Sequence, residues 1–180
     1  ANFTLVGSDA RRGKLTLFDA EAPRDHGAFK HVALRVNKLD GHDRVELPGG
    51  IDVQLVEAST EVDYDLDHVA LYTADPEATA EAYLDYGFQP AEPKDGVLRV
   101  EVGGAYVEFH EGEPGDPERP LLNHLAVLVD SADQHIEEAR ELGIEIADIV
   151  DAANTYAVFV WGPERVKVEY VEHKPTFSLT

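Results

Sequence analysis

The chain of 180 residues carries 36 acidic against 15 basic side chains, a formal net charge of −21, and 43% of its residues are hydrophobic, enough for a packed core. Charge of that sign repels nucleic acid phosphates and anionic lipid surfaces, so neither is an expected partner, and the absence of Cys excludes disulfides and thiol chemistry. No apolar run approaches the ~20 residues a membrane span needs and no leader segment opens the chain, so the expectation is a soluble, cytoplasmic protein.

From the N-terminus, residues 2–19 read as two short strands around a polar turn with Arg11-Arg12-Gly13, the second running through Leu15-Thr16-Leu17. Residues 28–36 and 51–58 read as strands, with any helix between them short or missing. Residues 66–73 alternate and are rich in β-branched or aromatic side chains, the pattern of a half-buried strand. Asp75-Pro76-Glu77 then opens a helix with Pro near its first position and acids in its first turn. Ala78, Ala82, Tyr83 and Leu84 form one helix face, and Tyr86-Gly87-Phe88 ends it, with Gly87 as a left-handed cap. Three strands follow near residues 89–93, 97–102 and 105–110, the last two joined at Gly103-Gly104.

Residues 111–120 hold three Pro and two Gly among charged residues and read as a solvated linker. The plan then restarts: a strand over 122–129, a helix capped by Ser131 and ended by Gly143, and strands near 144–149, 156–161 and 166–172. Two βαβββ units are therefore expected, at about 65–112 and 120–173, within a domain spanning 61–180.

Wording repeats with the plan. His31-Val32-Ala33-Leu34, His68-Val69-Ala70-Leu71 and His124-Leu125-Ala126-Val127 open the three segments. Val53-Gln54-Leu55, Val107-Glu108-Phe109 and Val168-Glu169-Tyr170 close them. Each unit thus begins on a strand with a His and ends on one with Gln or Glu, and the last two units together hold two His and two Glu, a set able to bind a divalent metal. Residues 1–60 read as a truncated, degenerate half; laid against residues 154–172, residues 2–19 put Thr16 where Glu169 stands in the last copy, and the expectation is a chain that starts in the middle of a further unit.

The order and spacing of Asp67-His68-Val69-Ala70-Leu71, Gly87-Phe88, Tyr106-Val107-Glu108-Phe109, Asn123-His124-Leu125-Ala126-Val127, Gly143-Ile144, Gly162-Pro163 and Val168-Glu169-Tyr170 resemble the vicinal oxygen chelate superfamily. That superfamily includes glyoxalase I, extradiol dioxygenases and bleomycin-binding proteins. The resemblance implies an α+β fold in which tandem βαβββ units pair into a curved, mostly antiparallel sheet cup. It also implies one divalent metal ion, Zn, Ni, Co, Mn or Fe(II), on His68, Glu108, His124 and Glu169, and a small-molecule substrate with adjacent oxygens. With two carboxylates on the ion, Glu108 or Glu169 becomes the base of a glyoxalase-type isomerase or lyase that works by enolate stabilisation. A ring-cleaving dioxygenase with Fe(II) and a metal-free binding or resistance protein are the alternatives. The resemblance also makes a homodimer a reasonable expectation.

The N-terminal half departs from the pattern, with Thr16, His31 and Gln54 at the ligand positions. A Gln serves as a metal ligand in epimerases of the superfamily, which leaves Gln54 open as one, but Thr16 is a poor ligand and the unit is short, so this half is read as a support or an assembly surface. Acidic residues spread along the whole chain and only six Lys resemble the surface of a protein adapted to a salty cytoplasm, and fit an ordinary acidic soluble protein equally well.

Overall fold

The opening strands that carry His31 and His68 pair with one another, and that pairing organises the larger sheet. In the computed structural model, which describes residues 2–7, 9 and 12–177, a small hairpin of β1 (Phe3–Val6) and β2 (Leu15–Phe18) precedes β3 (Phe29–Val36), β4 (Arg44–Leu47) and β5 (Ile51–Glu57). Arg11, part of the expected basic turn, lies outside the described residues. The second segment supplies β6 (Asp65–Thr73), α1 (Pro76–Leu84), β7 (Gln89–Lys94), β8 (Val97–Val102) and β9 (Ala105–Glu111). The third supplies β10 (His124–Leu128), α2 (Ala132–Leu142), β11 (Ile146–Asp151), β12 (Thr155–Trp161) and β13 (Lys167–His173). Both βαβββ units are present, as read from the sequence, and the fold is the expected α+β with curved, antiparallel-rich sheets.

Local chemistry sets the helix ends. Asp75 accepts a hydrogen bond from the Ala78 amide and Ser131 from the Gln134 amide, the N-cap arrangement that satisfies one orphan donor of each first turn. Gly143 closes α2 at φ 71°, a left-handed position that favours Gly. At the end of α1 the expectation differs from what is seen: Asp85 caps the helix in right-handed geometry, and Gly87, at φ 86°, turns the chain two residues later.

Two larger sheets form, and their membership differs from the expected pairing of units 65–112 and 120–173. The first, in the order β4-β5-β3-β6-β9-β8-β7, joins the N-terminal half to the second segment through an antiparallel β3–β6 contact. The second, β10-β13-β12-β11, is built from the third segment alone. The stretch between β3 and β5, too short for a helix and two strands, still holds β4, which turns back onto β5 through Gly49 and Gly50 at φ 87° and 81°.

One apolar core serves both sheets. Val69, Leu71, Val100, Val107 and Phe109 of the first sheet pack with Tyr83 of α1, Ile136 and Ala139 of α2, and Val158, Val160, Val168 and Tyr170 of the second. Because strand side chains alternate in direction, the residues between these belong to the opposite faces. Glu108 and Glu169 therefore lie on the faces turned away from this shared core. The Tyr86 hydroxyl donates to the Trp161 carbonyl, and the Tyr170 hydroxyl donates to the Tyr86 carbonyl, tying the third segment to the end of α1. No helix among the described residues is long and apolar enough to cross a membrane.

Candidate metal centre

The β3–β6 contact brings together residues that the sequence reading kept apart. Ala33 stands opposite His68 and His31 opposite Ala70, so the two histidines share one face of the sheet. Parallel pairing of β6 with β9 sets Ala70 beside Glu108 and Tyr72 beside His110 on the same face. His31, His68 and Glu108, all buried, place one ligand atom each within 4.8 Å of one another. His31 Nε2 lies 2.9 Å from His68 Nε2, and His68 Nε2 lies 3.4 Å from Glu108 Oε2. Ligand atoms sharing one ion through bonds of ~2.1 Å stand about 3–3.4 Å apart, so these separations suit a common ion.

The surroundings support that use of the rings. Register along β3–β6 jumps from Ala33–His68 to Leu34–Leu66, leaving Asp67 as the extra residue of a bulge. The bulge lets Asp67 Oδ2 reach His68 Nδ1 at 2.7 Å while Oδ1 accepts from Arg35 Nε and Nη2 at 2.9 and 2.7 Å. A carboxylate on Nδ1 fixes the proton there and leaves the Nε2 lone pair for a metal, the support commonly given to ligating imidazoles. Burial would raise Asp67, but the hydrogen bonds from His68 and Arg35 outweigh it and hold the carboxyl at about 2. Burial, followed by the neighbouring His68, Lys30 and His110, lowers His31 to about 4, so the ring is neutral near pH 7. Its Nδ1 is buried without a hydrogen-bond partner. Two imidazoles and a carboxylate, one imidazole braced by Asp67, fit a divalent transition metal.

Of the four ligands expected from sequence, His68 and Glu108 are in this cluster. His124 and Glu169 form a separate pair on the second sheet, with Nε2 and Oε2 3.2 Å apart, His124 Nδ1 facing Asn123 Oδ1 at 2.9 Å, and the Phe159 ring edge-on. Within the chain the two pairs stand on different sheets, on faces turned away from the shared core. Thr16 is exposed on β2. Gln54 pairs in register with Ala33 and so belongs to the same face as the cluster. His31, read from sequence as part of a supporting half, belongs to the cluster, and its opening tetrapeptide matches that of His68.

Comparison with known proteins agrees with the fold. A protein from the mobile metagenome of V. Pseudocholerae superposes with a TM-score of 0.50 at 16% identity, covering 65% of this chain and 99% of that one. A glyoxalase/bleomycin resistance protein/dioxygenase from Nocardioides gives 0.49 at 23% identity, covering 63% and 86%. A lactoylglutathione lyase from Agrobacterium tumefaciens gives 0.48 at 19% identity, covering 59% and 91%. No curated protein matches the chain. Residues 65–170, from β6 into β13, match the family model of the Glyoxalase/Bleomycin resistance protein/Dioxygenase superfamily, and with more than half its length matched the chain belongs to that superfamily.

Proposed function

We propose that the face carrying His31, His68 and Glu108 is the active site of a metal-dependent enzyme of the isomerase or lyase type, acting on a small molecule with two adjacent oxygens. The observation that carries this reading is the convergence of three buried donors, with one imidazole braced by the Asp67–Arg35 pair. A divalent ion there supplies Lewis acidity, favouring the charge that develops on a bound oxygen when a neighbouring proton is removed. His31 and His68 would hold the ion, and Gln54 stands on the same face of the next strand. Glu108 is the one carboxylate of the cluster and the candidate to take the proton. Glu169 would need a different ion, shared with His124, to play that part. The small, fully buried Ala33 and Ala70 form the floor between the ligands and keep it free of competing polar groups.

A second reading has its own support: two His and one carboxylate are the donor set of non-haem Fe(II) oxygenases. Elemental analysis of untagged protein and of the variants His31→Ala, His68→Ala and His124→Ala tests both. About one equivalent of metal, lost in the first two variants and kept in the third, supports this site. Zn, Ni, Co or Mn points to proton transfer; Fe with catechol-dependent oxygen uptake points to ring cleavage. Failure to bind any of these metals after reconstitution removes the catalytic reading and leaves a binding protein.

A further inference from the structure

The same face holds a polar group that the three donors do not use. His110 follows Glu108 by two residues on β9, so the two side chains share a face. Its Nδ1 lies 2.8 Å from Lys30 Nζ. Lys30 reaches it because the β3–β6 register steps from Phe29–Leu71 to His31–Ala70, which leaves Lys30 as an extra, re-aimed residue beside His31. An ammonium can only donate, so Nδ1 is the acceptor and the single proton of the neutral ring sits on Nε2. That Nε2 is buried and has no hydrogen-bond partner. The nearest carboxylate oxygen, Glu108 Oε2, is 3.5 Å away, too far for a good bond. A buried N–H left without an acceptor is costly, and an oxygen arriving beside Glu108 relieves that cost.

We infer that His110 Nε2–H donates a hydrogen bond to an anionic oxygen of the substrate, that Lys30 is the positioning residue that sets this tautomer, and that the substrate is an anion with two adjacent oxygens, of the 2-oxo or 2-hydroxy acid class. The inference rests on the metal-site reading of the cluster. The ammonium of Lys30, which also lies 5.6 Å from the centre of the Tyr72 ring, adds positive charge on the same side and favours an anionic ligand over a neutral one.

Oxalate, the smallest anion of this geometry, is the probe. Its affinity for the Co(II)-loaded protein is read from the visible absorption of the ion, in wild type, His110→Phe, His110→Gln and Lys30→Met. A second readout, nitrogen NMR of the labelled, metal-free wild type and Lys30→Met proteins, reports which ring nitrogen of His110 carries the proton. Expected are a loss of oxalate affinity of about ten- to a hundredfold in His110→Phe with Co(II) affinity unchanged, and partial recovery in His110→Gln, whose amide keeps a donor. The Nε2–H tautomer is expected in wild type, with a mixture in Lys30→Met. Unchanged oxalate affinity in His110→Phe with Co(II) retained overturns the inference and leaves the metal reading standing, as does an Nδ1–H tautomer in wild type. Wild type that takes up no Co(II) overturns both.

Discussion

Replacing Asp67 by Asn tests whether the bulge on β6 exists to serve His68. Asp67 and Arg35 are buried together, with side-chain exposures of 6% and 11%, so the substitution leaves a guanidinium with little solvent and no counter-charge. Removing one partner of a buried pair costs about 3–5 kcal/mol, and an Asn that keeps the shape and one acceptor should fall at the low end, about 3 kcal/mol. A second route to the magnitude is linkage. The carboxyl titrates at about 2 against an ordinary 3.8, and at 1.36 kcal/mol per unit this corresponds to about 2 kcal/mol. Because the folded value is depressed, that stabilisation is present above about pH 4 and is lost as pH falls toward 2. Urea unfolding of wild type and Asp67→Asn, in 2 M KCl at pH 7 and again near pH 3, should show a gap of about 2–3 kcal/mol that narrows in acid. Metal affinity should fall about ten- to a hundredfold, the usual cost of losing a carboxylate behind a ligating imidazole. A gap below about 0.5 kcal/mol with unchanged metal affinity would refute the reasoning.

Three further outcomes are expected. His31, with a folded value of about 4 against 6.5, gives the metal-free protein about 3 kcal/mol of stability that is present above pH 6.5 and lost as pH falls toward 4; acid unfolding curves of His31→Phe should lack this step. A net charge of −21 is self-repulsive, and 1 M salt shortens the screening length from about 10 Å at 0.1 M to about 3 Å, so the melting temperature should rise between 0.1 and 2 M KCl; a salt-independent value contradicts this. Ser131→Ala removes the cap of α2 and should cost about 1 kcal/mol in urea unfolding while leaving metal content unchanged, since α2 lies on the core side of the second sheet.

How much of this was legible depended on range. Caps, turns and strand periods are decided within a few residues, so Asp75, Ser131, Gly103-Gly104 and Gly143 announced both βαβββ units with only small shifts at their ends. Partnership between units is decided elsewhere. The opening strands β3, β6 and β10 carry nearly the same words, and nothing in those words says which two lie side by side. The connections do. Only residues 58–64 separate β5 from β6, and this short link allows β3, beside β5, to take the free edge of β6. Residues 112–123, rich in Pro and Gly, instead give the third unit enough reach to build its own sheet against the shared core. There Glu164 accepts hydrogen bonds from the Thr73 and Thr79 hydroxyls at 2.6 and 2.9 Å, and Tyr170 enters the shared core. The consequence for function follows from strand alternation. Once Val168 and Tyr170 face that core, Glu169 must face away from it, and so must Glu108 between Val107 and Phe109. Two His and two Glu at equivalent repeat positions were thus real equivalents, yet equivalence places them at matching points of different sheets. The residue facing His68 comes from the other unit sharing its sheet: β3, paired with β6, sets His31 beside it.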